Sequence, residues 1–129
     1  MAIKRFRAAV VQTLAALGDV EANIELLTRY TEEAVRLGAK LVVFPECMNT
    51  GYLFNSREHC EKLAEPVNGR YVQAMADLAK KYRIHIASGI TERDERIGKI
   101  FNSGVLLDSR GELVVHYHKQ FLATHDQNW

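Results

Sequence analysis

The stretch Leu41-Val-Val-Phe-Pro-Glu46 is a short, continuous apolar run that ends at a proline and a carboxylate. Such runs are typical of strands that are buried on both faces in a parallel sheet, and proline cannot continue the strand. The stretch therefore predicts an α/β fold in which a buried strand presents Glu46 at its carboxyl end. Binding sites in open α/β sheets collect at that end.

The residues before this strand predict a helix and a first strand. Asp19 is suited to an N-cap, Gly38 is a natural helix end, and apolar side chains recur between them at steps of three and four. Residues 6–13 predict the first buried strand. The basic start and the small apolar residues also resemble a secretory signal, but Gln12 and Thr13 interrupt that apolar run.

The residues after Glu46 predict two more helices and three more strands. The helices are expected over 56–64 and 71–83, and the strands over 84–90, 100–107 and 113–118. The resulting order, β-α-β-α-α-β-β-β, favours an α/β layer structure that begins with βαβ units and ends in a hairpin. We find no linker-like composition, so we expect a single domain over 1–129.

Composition excludes several classes of partner. The formal net charge is +1 over 129 residues, and the basic residues are scattered, so nothing favours nucleic acid or an acidic membrane surface. The sequence contains no apolar run long enough to span a bilayer. Two cysteines are too few for a disulfide framework, which favours a reducing cytoplasm.

Glu46 and Lys119 are the residues best placed for chemistry. A carboxylate beside apolar neighbours can act as a general base, whereas the structural alternative is a loop cap or an ion pair. Lys119 ends the fifth predicted strand and could stabilise negative charge on a carbonyl oxygen, whereas most lysines are simply solvated. Position alone decides neither case.

Other polar residues are weaker candidates. Tyr52 and Asn49 could line a substrate pocket beside Glu46, although Asn also suits the turn that follows a strand. His116 and His118 share one face of the fifth strand at a spacing that could hold a metal, but the sequence shows no third ligand. We therefore predict no metal site.

Taken together, five segments, of which Ala9-Val-Val-Gln12 is the first, resemble the nitrilase superfamily of carbon–nitrogen hydrolases. Val43-Phe-Pro-Glu-Cys-Met-Asn-Thr-Gly-Tyr52 is similar to the motif of the family's glutamate, and Tyr117-His-Lys-Gln-Phe-Leu122 to that of its lysine. Residues 87–92 and 101–111 resemble the strands and the turn between these motifs. The resemblance covers essentially the whole chain, in the family's order and at its spacing.

The resemblance implies a fold and a mechanism. The fold would be part of a four-layer α-β-β-α sandwich of the nitrilase type. Glu46 would be the general base, Lys119 would stabilise the oxyanion, and a downstream cysteine would attack the substrate, with no metal or organic cofactor. The substrate would be a small amide or carbamoyl compound, with a nitrile as the less favoured alternative. Cys47 and Cys60 are poor substitutes for that cysteine.

The chain ends before that cysteine, so we expect a C-terminally truncated domain that is inactive alone. Half a sandwich leaves an apolar sheet face uncovered, which favours association. We therefore expect a homo-oligomer or a complementing C-terminal half. The alternative function is a catalytically inactive fragment or binding module that keeps the fold without the nucleophile.

Overall fold

A computed structural model describes residues 5–124, and the ends of the predicted domain, 1–4 and 125–129, lie outside these residues. The predicted order of elements is confirmed. The elements are β1 Arg7–Val10, α1 Val20–Arg36, β2 Ala39–Val43, α2 Arg57–Leu63, α3 Arg70–Tyr82, β3 His85–Asp94, β4 Lys99–Leu107 and β5 Leu113–His118.

Helix α1 begins and ends where its sequence predicts. The side chain of Asp19 accepts a hydrogen bond from the backbone N–H of Ala22 at 3.0 Å, which satisfies one of the free donors of the first turn. Gly38 follows the helix with a φ of +81°, a conformation that glycine adopts without steric cost. The chain can therefore reverse directly into β2.

The five strands form one sheet in the order β1-β2-β3-β4-β5. The pairs β1–β2 and β2–β3 are parallel, as βαβ connections require, and β3–β4 and β4–β5 are antiparallel. The predicted combination of βαβ units and a terminal hairpin is thus confirmed. The carboxyl end of β2 lies beside the middle of β3.

Two strands, β1 and β3, differ from the prediction by three or more residues at their carboxyl ends. β1 is shorter than 6–13, because its partner β2 ends at Val43 and leaves the later residues without a ladder. β3 is longer than 84–90 and continues to Asp94, which pairs with Lys99 across the hairpin. The last residues of β3 are polar and do not alternate with apolar residues, so the sequence does not predict a strand there. They are a strand because they pair with β4.

The core lies between one face of the sheet and helices α1 and α3. It includes Leu27 from α1, Met75 from α3, and Ile86 and Val105 from the sheet, all of them buried. Side chains alternate along each strand, so the intervening residues point to the other face. The described residues therefore form two layers, one of helices and one of strands.

The second face of the sheet is apolar and open among residues 5–124. Val10 of β1 is 82% exposed, and Val115 and Tyr117 of β5 are 48% and 52% exposed. Val43 and Leu106, on the strands between them, are only partly buried. The expected uncovered sheet face is therefore present in the described part of the chain.

Among the described residues, none of the helices has both the length and the apolar character needed to cross a membrane.

Candidate active site

Glu46 lies in a tight turn at the carboxyl end of β2, held against the middle of β3. The backbone N–H of Gly89 in β3 donates a hydrogen bond to the Pro45 carbonyl at 3.0 Å. The Gly89 carbonyl accepts a hydrogen bond from the backbone N–H of Met48 at 2.9 Å. Cys47, between these contacts, has a φ of 49°, which is uncommon for a residue with a side chain. These constraints fix the backbone that carries the Glu46 carboxylate.

Lys119 reaches Glu46 from the end of β5. Its backbone N–H donates to the Asn102 carbonyl at 2.8 Å, which extends the β4–β5 ladder by one residue beyond His118. Its Nζ atom lies 2.7 Å from Oε1 of Glu46. The two residues that the sequence singled out, 73 positions apart, are thus in direct contact in the folded chain.

Asn102 is a member of this site that sequence reasoning missed. Its Nδ2 atom donates to the same oxygen, Oε1 of Glu46, at 2.6 Å. The sequence does place this asparagine inside the predicted strand 100–107. A polar side chain that is buried in a strand needs a hydrogen-bond partner, which is the one sign that Asn102 has a specific contact. The sequence could not show that this partner is Glu46.

Two donors therefore converge on one carboxylate oxygen. The side chains of Glu46 and Lys119 are 43% and 29% exposed, so the group is open to solvent on the uncovered face of the sheet. Exposed ion pairs contribute little to stability. The arrangement is better suited to orienting a carboxylate and an ammonium group towards a ligand than to holding the fold together.

The structure places Asn49 and Tyr52 differently. Asn49 is buried: its Oδ1 accepts from the Thr91 N–H at 2.8 Å, and its Nδ2 donates to the Thr91 carbonyl at 3.0 Å. Both ends of the amide thus tie the loop after β2 to β3. Tyr52 is partly buried in the same loop, six residues after Glu46.

Neither Cys47 nor Cys60 is accessible. Both side chains are fully buried and neither forms a disulfide, whereas the adjacent Glu46 side chain is exposed. Burial, with a smaller effect of Cys47, raises the pKa of the Cys60 thiol to about 12. A nucleophile must be a thiolate that a substrate can reach, so neither residue fits that role here.

A candidate third ligand, which the sequence did not reveal, lies beside His116 and His118. Glu92 of β3 lies beside both rings, and one ligand atom from each of the three residues lies within 4.8 Å of the others. The antiparallel register of β3, β4 and β5 brings Glu92 to the two histidines across β4. Sequence spacing could not reveal this contact, since Glu92 precedes His116 by 24 positions.

Comparison with known proteins gives a consistent family. The model of the carbon-nitrogen hydrolase family matches residues 7–128. The chain is 33% identical over 117 residues to nitrilase homolog 2 of Dictyostelium discoideum, covering 90% of this chain and 34% of that protein. It is 32% identical over 128 residues to a protein N-terminal amidase of Schizosaccharomyces pombe, covering 92% and 44%.

A solved structure shares the fold. The crystal structure of an N-terminal amidase superposes with a TM-score of 0.83 at 22% identity, covering 93% of this chain and 29% of that one. The chain thus spans less than half the length of these relatives. It has the nitrilase-type α/β fold, with the sheet and its helices in the same arrangement. The chain belongs to the carbon-nitrogen hydrolase family.

Proposed function

We propose that this chain forms part of an amide-hydrolysing enzyme in which Glu46 and Lys119 act on the substrate. The observation that carries the proposal is the convergence of Lys119 Nζ and Asn102 Nδ2 on one oxygen of Glu46. This contact holds a base and a cation side by side at the carboxyl end of a strand. Both face solvent, where a substrate can reach them.

The proposed reaction begins with proton transfer to Glu46 from the thiol of a cysteine outside residues 1–129. The thiolate attacks the carbonyl carbon, and Lys119 stabilises the negative charge on its oxygen. The C–N bond breaks as Glu46 returns the proton to the leaving amine or ammonia. Water then gives a proton to Glu46 and attacks the thioester carbon. The C–S bond breaks, the carboxylic acid is released, and Glu46 returns the proton to the cysteine sulfur.

An amide is the favoured substrate class. Glu46 can protonate a departing amine directly, and the fission yeast relative is named a protein N-terminal amidase. A carbamoyl compound has the same carbonyl and leaving nitrogen. A nitrile is the less favoured candidate. We propose Tyr52 as a pocket residue because it lies in the loop that carries Glu46, with Asn49 holding that loop in place.

The open sheet face supports a proposal about assembly. In the family's four-layer sandwich this face is covered by a second sheet. We propose that a C-terminal half, in the same polypeptide or another, covers Val10, Val115 and Tyr117, or that a second copy of the chain does so. Two cysteines that form no disulfide fit a cytoplasmic location.

The second candidate is a catalytically inactive module. It is favoured by one observation: neither Cys47 nor Cys60 is accessible beside Glu46. Such a protein would keep the Glu46–Lys119 pair and the proposed pocket residue Tyr52 while lacking a nucleophile. It would bind amides without hydrolysing them.

The deciding experiment is ammonia release from a panel of small amides by the natural full-length protein. Glu46→Gln and Lys119→Ala should each lower kcat by at least about 100-fold. The matched controls Glu25→Gln and Lys99→Ala alter exposed residues outside the site and should leave kcat unchanged. Turnover that survives both site variants would refute the assignment. Amide binding without turnover by the folded wild type would favour the inactive module.

A further inference from the structure

Glu92, His116 and His118 form a second polar cluster on the opposite face of the sheet from Glu46. Side chains alternate along β5, so His118 and the adjacent Lys119 point to different faces. His116 and His118 lie opposite Val105 and Ser103 of β4, which in turn face β3. We infer that this cluster binds a divalent transition-metal ion of the zinc class.

The distances suit a shared ion. Oε2 of Glu92 lies 2.6 Å from Nε2 of His116 and 3.2 Å from Nε2 of His118. Around a tetrahedral zinc ion with bonds of about 2.0–2.2 Å, neighbouring ligand atoms lie roughly 3.4 Å apart. The separation of Glu92 from His118 is close to this spacing, and that of Glu92 from His116 would have to widen by about 0.8 Å. Two imidazoles and one carboxylate are a preferred ligand set for such metals.

The surroundings already orient the ligands. Ser103 donates its hydroxyl to Oε2 of Glu92 at 2.6 Å, which fixes the carboxylate. The ring of Phe101 stacks on His118 with centroids 3.9 Å apart and planes 7° from parallel. Supporting contacts of this kind around a metal's ligands raise affinity, because less order must be imposed when the ion binds.

Burial and access are also divided suitably. The Glu92 side chain is only 4% exposed, whereas those of His116 and His118 are 33% and 36% exposed. A buried carboxylate is costly unless a cation or several donors compensate it. The partly exposed histidines leave an entry path for the ion, and water can complete its coordination.

The ion would link β3 to β5 across β4. Such a clip stabilises the folded chain, because the ligands come together only when the sheet has formed. The ion would lie on the face of the sheet opposite to Glu46 and Lys119, so it would not touch the substrate. The metal site is therefore independent of the proposed hydrolysis, and its test uses binding and stability rather than turnover.

The test is titration of the metal-free, full-length protein with Co²⁺, followed by visible absorption, and competition with Zn²⁺. We expect one ion per chain and a rise in Tm with Zn²⁺. His116→Gln and His118→Gln should each raise the Kd by at least about 10-fold and reduce the Tm shift. His85→Gln, at an exposed histidine on β3, should retain both.

Circular dichroism and the metal-free Tm establish whether each variant is folded. Glu92→Gln provides a further variant, because glutamine can keep a hydrogen bond to Ser103 while losing the charge. A wild type that binds no Co²⁺ or Zn²⁺ would overturn the inference, and so would folded His116 and His118 variants that bind as tightly as His85→Gln. In those cases the three side chains form a hydrogen-bonded cluster only.

Discussion

Gly89 lies directly against Glu46: a Cβ atom at position 89 would fall 2.5 Å from the Cα atom of Glu46. It would also come within 3.1 Å of the Pro45 carbonyl oxygen and the Cys47 nitrogen. Real Cβ atoms do not approach backbone this closely, so only glycine permits the contact. The position of the Glu46 carboxylate therefore depends on the absence of a side chain on the neighbouring strand.

Gly89→Ala should displace the turn that carries Glu46. We expect a loss of about 1–3 kcal/mol in the free energy of unfolding, by urea denaturation. We also expect a fall in kcat of roughly 100-fold, because a shift of about 1 Å misplaces the base. Gly104→Ala is the control, since its Cβ would meet only Tyr117, at 4.0 Å, among the described residues. Equal behaviour of the two variants would contradict the prediction.

Asn102→Ala should weaken catalysis without unfolding the protein. It removes one of the two donors on Oε1 of Glu46, so the carboxylate becomes less well oriented. We expect kcat/KM for amide hydrolysis to fall by about 10-fold or more. Asn102→Asp should be worse, because it places a second negative charge beside Glu46. The exposed Asn68→Ala is the control, and an Asn102→Asp variant as active as wild type would disprove the role.

Asn49→Ala separates a structural role from substrate binding. Its amide satisfies both the N–H and the carbonyl of buried Thr91, so its loss should cost about 1–3 kcal/mol in the free energy of unfolding. Urea denaturation measures that change. If Asn49 instead bound substrate, stability would be unaffected and KM alone would rise.

Asp108→Asn should lower stability in a pH-dependent way. Hydrogen bonds from the Glu112 and Arg110 backbone N–H groups, with the Arg110 guanidinium, lower the pKa of the Asp108 carboxyl. Its contribution is complete above the unfolded pKa of about 3.9 and is lost as pH falls through the lower folded pKa.

Urea denaturation of wild type and Asp108→Asn between about pH 2 and pH 7 checks this. The difference in unfolding free energy should be largest near neutral pH and should shrink below about pH 4. Asp77→Asn, on the exposed side of α3, provides the comparison. If the difference in unfolding free energy between wild type and Asp108→Asn is the same at every pH, the negative charge of Asp108 does not contribute to stability.

Local sequence determined most of the elements. Helix α1 begins after Asp19 and ends before Gly38, because an N-cap and a left-handed glycine act within a few residues of the chain. Strand β5 spans the predicted residues 113–118. The strand before Glu46 was recognisable because a continuous apolar run cannot remain in water. The motifs around Glu46 and Lys119 also indicated the family, since their order and spacing are features of sequence alone.

Only the tertiary structure decided which polar groups meet. The contacts of Asn102 with Glu46, and of Glu92 with His116 and His118, depend on strand register, which pairs residues far apart in the chain. β3 continues to Asp94 for the same reason. The local pattern of apolar and polar residues indicates which side chains are buried. The partner of each buried side chain is determined only by the register in which the strands pair.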